Sequence, residues 1–181
     1  MKRVLVLIDV QNDFINGSLP NPEAQKAIPN IVKKIEEFDG DALFYTKDCH
    51  GPDYLETKEG KNLPFEHCIE GTWGYNYEPN VGHAIVKKAA DGMLVIKTVK
   101  HTFGSPVLAD KLERFANGEE LEIEFVGFCT DICVVSNVLI TKAKLYETAE
   151  ISVDSACCAG TSPERHEAAL NVMRSCLINV K

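Results

Sequence analysis

Hydrophobic and polar positions follow two alternating patterns along this chain. Short runs rich in apolar and β-branched residues predict six strands, over residues 3–9, 42–47, 93–97, 121–127, 150–153 and 177–180. Between them, apolar residues at helical spacing predict helices over residues 21–38, 81–90, 105–115 and 163–175, with a further helix beginning near Cys133. Strands that alternate with helices form a parallel sheet covered on both faces. We therefore predict an α/β fold in a single domain over residues 1–181, with ligands bound at the carboxyl ends of the strands.

One long segment, residues 48–80, interrupts this regular alternation. It is rich in Gly, Pro, His and aromatic residues and shows neither the helical nor the strand period. Segments of this length inside a compact domain are usually functional or disordered. We therefore expect it to supply part of any binding site.

Composition and charge narrow the possible partners and the compartment. The chain has 19 Lys and Arg against 27 Asp and Glu, a net charge of −8 with no basic block, which disfavours nucleic acid and anionic membranes as partners. No apolar run reaches transmembrane length, and the first strand is too short for a signal peptide. The seven cysteines are an odd number and are scattered, which favours a reduced, intracellular protein over a disulfide scaffold. We expect a cytoplasmic protein with free thiols.

The stretch over residues 127–136, Gly-Phe-Cys-Thr-Asp-Ile-Cys-Val-Val-Ser, joins a predicted buried strand to a predicted helix. It places Cys133 in the first helical turn, with Thr130 or Asp131 available as the capping residue. The positive end of the helix dipole would favour the thiolate and lower the pKa of Cys133, making it a nucleophile. The alternative is a small apolar residue that packs in a strand-to-helix corner.

Charged residues follow two other predicted strands at the same edge of the sheet. Asp9 follows the first strand, and Lys97 and Lys100 follow the third. Taken singly, the carboxylate could cap a turn and the lysines could be solvated loop charges. Together with Cys133 they would supply the nucleophile, the proton acceptor and the charge stabiliser of an acyl-transfer site.

The segment 48–80 contains a possible metal site. Asp48 and His50 form a D-x-H motif, whose two side chains point the same way in an extended chain, and His67 could be a third ligand. Glu56 or Glu59 could be the fourth. Such oxygen and nitrogen ligands suit zinc, manganese or iron. The alternative is two surface histidines and a solvated acid.

Several motifs together carry a family resemblance. They are D-V-Q-N-D-F at Asp9, D-C-H at Asp48, H-C-I-E-G-T-W-G at His67, K-H-T-F-G-S at Lys100 and G-F-C-T-D-I-C-V around Cys133. In this order and spacing the chain resembles the isochorismatase-like cysteine hydrolases, and among them the nicotinamidases, over nearly its whole length. The resemblance implies a three-layer α/β/α sandwich with a six-stranded parallel sheet.

The resemblance also implies a catalytic triad. Asp9 takes the thiol proton, Cys133 attacks the amide carbonyl, and Lys100 holds the charged pair together. Lys100 is preferred over Lys97 because the family lysine lies three residues before an aromatic residue, here Phe103. A non-proline cis peptide ahead of the nucleophile would map to Phe128–Cys129, with the backbone amides of Cys129 and Cys133 as the oxyanion hole.

The same resemblance implies one divalent metal ion, with zinc expected first and manganese or iron as alternatives. The expected ligands are Asp48, His50, His67 and Glu59, the last preferred over Glu56. In the family the metal binds the pyridine nitrogen of the substrate. Phe14 matches the family aromatic residue that packs on the substrate ring, and we expect Phe103 and Phe128 to join it in substrate binding.

The function implied is cleavage of nicotinamide to nicotinate and ammonia through a cysteine thioester, feeding pyridine nucleotide salvage. The expected partners are a small-molecule amide and further copies of the chain, in a dimer or tetramer. Pro64 stands where many nicotinamidases have a tryptophan, and no histidine follows D-C-H closely. Another amide, carbamoyl or ureido substrate is therefore an alternative. A non-catalytic metal- or redox-responsive binding protein is the alternative from outside the family.

Overall fold

The computed structural model describes all residues, 1–181, and confirms the predicted three-layer α/β/α fold. Its strands are β1 (Lys2–Ile8), β2 (Ala42–Asp48), β3 (Leu94–Lys100), β4 (Leu121–Phe128), β5 (Ala149–Ala159) and β6 (Asn179–Val180). Its helices are α1 (Pro22–Glu37), α2 (Lys58–Asn62), α3 (Pro79–Ala90), α4 (Pro106–Ala116), α5 (Val135–Lys144) and α6 (Pro163–Ser175). All strand pairs in the sheet are parallel, in the order β3-β2-β1-β4-β5-β6.

The two faces of the sheet carry separate hydrophobic cores. Buried residues of α4, α5 and α6, such as Leu112, Val138 and Leu170, pack on one face. Buried residues of α1 and α3, such as Ile31 and Ile85, pack on the other. Because both faces are covered, the central strand β1 reads as the continuous apolar run Val4–Ile8.

The strand order reverses between β1 and β4, which are neighbours although β2 and β3 lie between them in sequence. A crevice at the carboxyl ends of the strands is expected at such a switch point. Gly127 lies there opposite Ile8 with a φ of 121°, and a Cβ atom on it would overlap the Ile8 carbonyl oxygen. Glycine therefore allows β1 and β4 to approach each other at the edge that holds the crevice.

Several predicted boundaries are wrong by a few residues. Strand β3 runs to Lys100, beyond the predicted end at residue 97. It is an edge strand in which exposed Lys97 and Val99 alternate with buried Thr98 and Lys100, so no continuous apolar run marks its end. Strand β5 extends to Ala159 after a register shift relative to β4. The segment 48–80 is ordered, with a 3₁₀ turn at Tyr54–Glu56, helix α2 and the start of α3. No helix combines the length and the apolar character that crossing a membrane requires.

Candidate active site

Four predicted site residues meet at the carboxyl edge of the sheet, beside the switch point. Asp9 follows β1, Asp48 ends β2, Lys100 ends β3, and Cys133 lies in the turn after β4. Strands β2 and β3 are in register with Asp48 opposite Lys100. All four side chains are buried. The fold therefore brings a thiol, two carboxylates and an ammonium group together away from bulk water.

Lys100 is the centre of this first cluster. Its Nζ atom lies 2.6 Å from Asp9 Oδ2, 3.2 Å from Asp48 Oδ1 and 3.6 Å from Cys133 Sγ. Burial disfavours the ammonium form, but the Asp9 and Asp48 carboxylates outweigh it and raise the pKa of Lys100. Lys100 is therefore charged, and it pairs with both carboxylates. Lys97 is exposed and lies outside the cluster.

Asp9 is fully buried, and its neighbours orient it. Thr46 Oγ1 donates a hydrogen bond of 2.6 Å to Asp9 Oδ1, and the Asp9 amide donates one of 3.1 Å to Thr46 Oγ1. Asp9 Oδ2 contacts Lys100 but accepts no aligned hydrogen bond. Burial raises the pKa of Asp9 against the opposing Lys100 charge. Its carboxylate is thus a stronger base than an exposed aspartate.

The turn that carries Cys133 differs from the predicted helix start. Residues Thr130–Val134 form a single π-helical turn, and Cys129 precedes it without a side-chain cap. The prediction that Thr130 or Asp131 caps the helix is wrong, because both side chains form hydrogen bonds with residues outside this turn. Thr130 Oγ1 shares a 2.8 Å hydrogen bond with His166 Nδ1, and the Asp131 carboxylate accepts from the amide and hydroxyl of Thr161.

The electrostatics of Cys133 also differ from the prediction. Burial raises the pKa of the Cys133 thiol well above its ordinary value, and the nearby Lys100 charge only partly offsets this. The prediction that the helix end lowers this pKa is therefore wrong, because the thiol is 5 % exposed and its desolvation dominates. The Phe128–Cys129 peptide bond is cis, as expected.

A second cluster lies on the other side of Asp48. Asp48 Oδ2 lies 3.1 Å from His50 Nε2 and 3.5 Å from His67 Nε2. Ligand atoms of these three residues all lie within 4.8 Å of one another. Glu59 Oε1 lies 3.6 Å from the Nε2 atom of each histidine, whereas Glu56 is exposed. Glu59 Oε1 therefore lies beside the group that Asp48, His50 and His67 form.

Aromatic packing and a hydrogen bond orient the two imidazoles. The ring of Tyr54 packs edge-on against His50 and His67, with centroid distances of 4.7 and 5.0 Å. His67 Nδ1 lies 2.8 Å from the carbonyl oxygen of Phe65. With Nδ1–H donating to that carbonyl, Nε2 faces Asp48 and is the nitrogen that would bind a metal.

A cavity of about 350 Å³ opens beside Cys133 and reaches His67. Of the predicted substrate-binding residues, Phe14 and Phe103 line it. Phe128 does not, because its side chain is fully buried in the core on the α1 face of the sheet. The expectation for Phe128 is corrected accordingly.

The cavity also has walls that the sequence interpretation missed. The additional apolar lining residues are Leu19, Pro20, Pro22, Leu63, Phe65 and Ile132. Phe65 lies two residues before His67, and side chains at this spacing share a side of an extended chain, a signal that could have identified it. The lining contains no lysine or arginine. The lining therefore suits an uncharged and largely apolar ligand.

Comparisons with known proteins show which family the sequence matches. A family model described as "Isochorismatase domain" matches residues 3–180, a range that contains both clusters. The nicotinamidase/pyrazinamidase of Mycobacterium tuberculosis is 27% identical over 170 residues, which cover 84% of this chain and 89% of the relative.

Solved structures extend the similarity over the whole chain. The crystal structure of a nicotinamidase/pyrazinamidase from Bacillus subtilis matches with a TM-score of 0.82 at 26% identity, covering 99% of both chains. The crystal structure of an N-carbamoylsarcosine amidase from Thermoplasma acidophilum matches with a TM-score of 0.74, also at 26% identity, covering 100% of this chain and 96% of that one.

Proposed function

The chain belongs to the isochorismatase domain family, and on this basis we propose that it hydrolyses nicotinamide to nicotinate and ammonia through a thioester on Cys133. The observation that carries the proposal is the position of Lys100, which contacts Cys133, Asp9 and Asp48 beside an aromatic cavity. Nicotinate formed in this way would feed pyridine nucleotide salvage.

Asp9 and Cys133 divide the chemistry between base and nucleophile. The thiol proton passes to Asp9, and Cys133 Sγ attacks the carboxamide carbon while the amides of Cys129 and Cys133 receive the negative charge on oxygen. The carbon–nitrogen bond breaks, the leaving nitrogen takes the proton from Asp9, and ammonia departs. Water then gives a proton to Asp9 and its oxygen to the thioester carbon. Nicotinic acid leaves and loses its carboxyl proton to solvent to give nicotinate, and the proton on Asp9 returns to Cys133 sulfur.

The raised pKa values support this order of events. Burial raises the pKa of both the Cys133 thiol and the Asp9 carboxyl. The Cys133 thiol therefore stays neutral until substrate binds, and it loses its proton to Asp9 only as attack begins. Lys100 keeps its charge throughout and stabilises whichever of the two groups is anionic.

The second cluster fits one divalent metal ion. Glu59 Oε1 is buried without a hydrogen-bond partner, and it points at the same two imidazoles as Asp48 Oδ2. Two imidazoles and two carboxylates suit zinc first, with manganese or iron as alternatives. When bound, the ion would supply a Lewis acid for the ring nitrogen of the substrate. Asp48, His50, His67 and Glu59 would hold it and thereby orient the carboxamide toward Cys133.

A second candidate function is cleavage of a carbamoyl compound, as the N-carbamoylsarcosine amidase neighbour suggests. A carbamoyl substrate that carries a carboxylate needs a cationic group in the cavity to pair with that carboxylate. Apart from the proposed metal ion, the cavity lining offers none, since it contains no lysine or arginine. Nicotinamide is therefore preferred. The cytoplasmic location and the homo-oligomeric state stay predictions.

The decisive experiment measures ammonia release from nicotinamide by purified protein, with metal content determined on the same sample. We expect release that depends on Cys133, with about one metal ion per chain. A Cys133→Ala variant is the control for contaminating activity. Metal-loaded protein that releases ammonia from a carbamoyl amino acid but not from nicotinamide would reject the substrate and keep the cysteine-hydrolase chemistry. Release from neither would reject both candidate functions.

A further inference from the structure

Asn137 connects the nucleophile turn to the loop that carries Phe103. Its side chain is fully buried in α5, four residues after Cys133. Asn137 Nδ2 donates to the carbonyl oxygens of Cys133 at 2.7 Å and Phe103 at 3.1 Å, and Oδ1 accepts from the Ser105 amide at 2.9 Å. We propose that Asn137 is a positioning residue that fixes the Phe103 wall of the cavity relative to the Cys133 nucleophile.

The Phe103 loop, residues 101–105, has few other attachments. His101 Nδ1 bonds to the Cys49 carbonyl at one end, and Thr102 Oγ1 bonds within the loop to Gly104. None of the loop's other hydrogen bonds reaches the turn after β4. The side-chain amide of Asn137 alone therefore connects this loop to the nucleophile turn by hydrogen bonds.

The loop also lies close against α5 around this amide. A Cβ atom on Gly104 would lie 2.5 Å from Ile140 Cδ1 and 3.1 Å from Ser136 Cβ. Because Gly104 has no side chain, the backbone can approach α5 closely enough for Asn137 to reach both Phe103 and Ser105. Phe103 itself is 42% exposed, so packing of its own ring holds it only partly. Its position depends on the backbone bonds that Asn137 makes.

Asn137 uses both amide hydrogens and its oxygen in this arrangement. Truncation to alanine would leave the Phe103 carbonyl and the Ser105 amide without their partner, so the loop would relax away from α5. The contact with the Cys133 carbonyl would be lost at the same time. A change of this kind alters how substrate fits between Phe103 and Cys133, and misplacement by about 1 Å can cost up to about 100-fold in rate.

The kinetic test rests on the proposed function, and its readout separates positioning from simple stability. We expect Asn137→Ala to lower kcat/KM for nicotinamide about tenfold, with most of the change in KM. A purely structural role would lower the melting temperature and the active fraction but leave KM unchanged. Thr141→Val is the matched control, because Thr141 is buried one turn later in α5 and its hydroxyl has no hydrogen-bond partner.

A double-mutant cycle shows whether Asn137 acts through Phe103. If it does, Asn137→Ala should raise KM much less in a Phe103→Ala background than in the wild type. Equal effects in both backgrounds would overturn the proposal, as would an unchanged KM in folded Asn137→Ala protein. If that variant does not fold, Asn137→Ser, which keeps one hydroxyl donor, takes its place in the cycle.

Alkylation of Cys133 tests the same inference without any assumption about substrate. The modified Cys133 peptide is quantified by mass spectrometry after timed exposure to iodoacetamide, since Cys176 is exposed and reacts as well. We expect the rate at Cys133 to change at least about threefold in Asn137→Ala and to stay unchanged in Thr141→Val. If wild-type protein releases no ammonia from nicotinamide, the proposed function fails, and the alkylation rates alone test the role of Asn137. Equal rates in wild type and Asn137→Ala would then overturn the role of Asn137.

Discussion

Lys100 Nζ lies 3.2 Å from Asp48 Oδ1, and the second oxygen of the same carboxylate lies 3.1 Å from His50 Nε2. A single carboxylate therefore faces the ammonium group beside Cys133 on one side and the histidine cluster on the other. Burial opposes its charge, but hydrogen bonds from His50 and His67 and the Lys100 charge hold the pKa of Asp48 well below its ordinary value. The two clusters are thus joined through the Asp48 carboxylate.

Replacement of Lys100 should affect stability as well as activity. Lys100→Met leaves Asp9 and Asp48 buried without their ammonium partner, so we expect a loss of about 3–5 kcal/mol in the free energy of unfolding. Urea unfolding followed by fluorescence measures this. Lys97→Met is the matched control, since Lys97 is exposed in the same strand and should change stability by less than about 0.5 kcal/mol. Equal effects of the two substitutions would contradict the central position given to Lys100.

Glu59 and Glu56 should differ sharply in metal binding. Glu59→Gln removes the charge of an oxygen that lies 3.6 Å from two histidine nitrogens, and we expect metal affinity to fall at least about tenfold. Glu56→Gln, in the same short segment but exposed, should bind metal like the wild type. Titration with zinc against a competing chelator measures both. Loss of affinity in Glu56→Gln alone would reverse the assignment of the fourth ligand.

Cys133→Ala should abolish turnover without removing the metal. The hydrogen-bond partner of Cys133 Sγ is Lys100, not a histidine of the second cluster, so metal content should stay at about one ion per chain. Ammonia release from nicotinamide should fall at least about 1,000-fold. Cys176→Ala, at an exposed position, is the control and should keep wild-type activity. Joint loss of metal and activity in Cys133→Ala would mean that the thiol belongs to the metal site.

The sequence predicts the first cluster well because topology determines its location. Asp9 and Cys133 follow strands and Lys100 ends one, and parallel strands place such residues at one edge. The fold class follows from the same alternation. Burial of Cys133 could not be predicted in this way, because it depends on side chains from elements distant in sequence. For that reason the predicted direction of its pKa shift was wrong.

The second cluster and the cavity were harder to predict because residues 48–80 have no period. The choice of Glu59 over Glu56 depends on a five-residue helix, Lys58–Asn62, that follows a 3₁₀ turn. The prediction that Phe128 binds substrate is wrong because the end of a strand does not show which face of the sheet a side chain joins until the neighbouring helix is known. The prediction that Thr130 or Asp131 caps the helix is wrong because their partners, His166 and Thr161, lie 36 and 30 residues later in the chain.

Phe65 should take part in binding the substrate ring although no tryptophan precedes His67 at the position common in nicotinamidases. Its side chain lines the cavity with Phe14 and Phe103 while remaining 55% exposed. An aromatic face contributes about 0.5–1.5 kcal/mol to binding. Its loss in Phe65→Ala should therefore raise KM for nicotinamide about twofold to tenfold, with little change in kcat. Trp73→Ala is the matched control, since Trp73 is 57% exposed but does not line the cavity. Steady-state kinetics of both variants decide the matter, and a raised KM in Trp73→Ala alone would place the ring-binding aromatic residue outside this cavity.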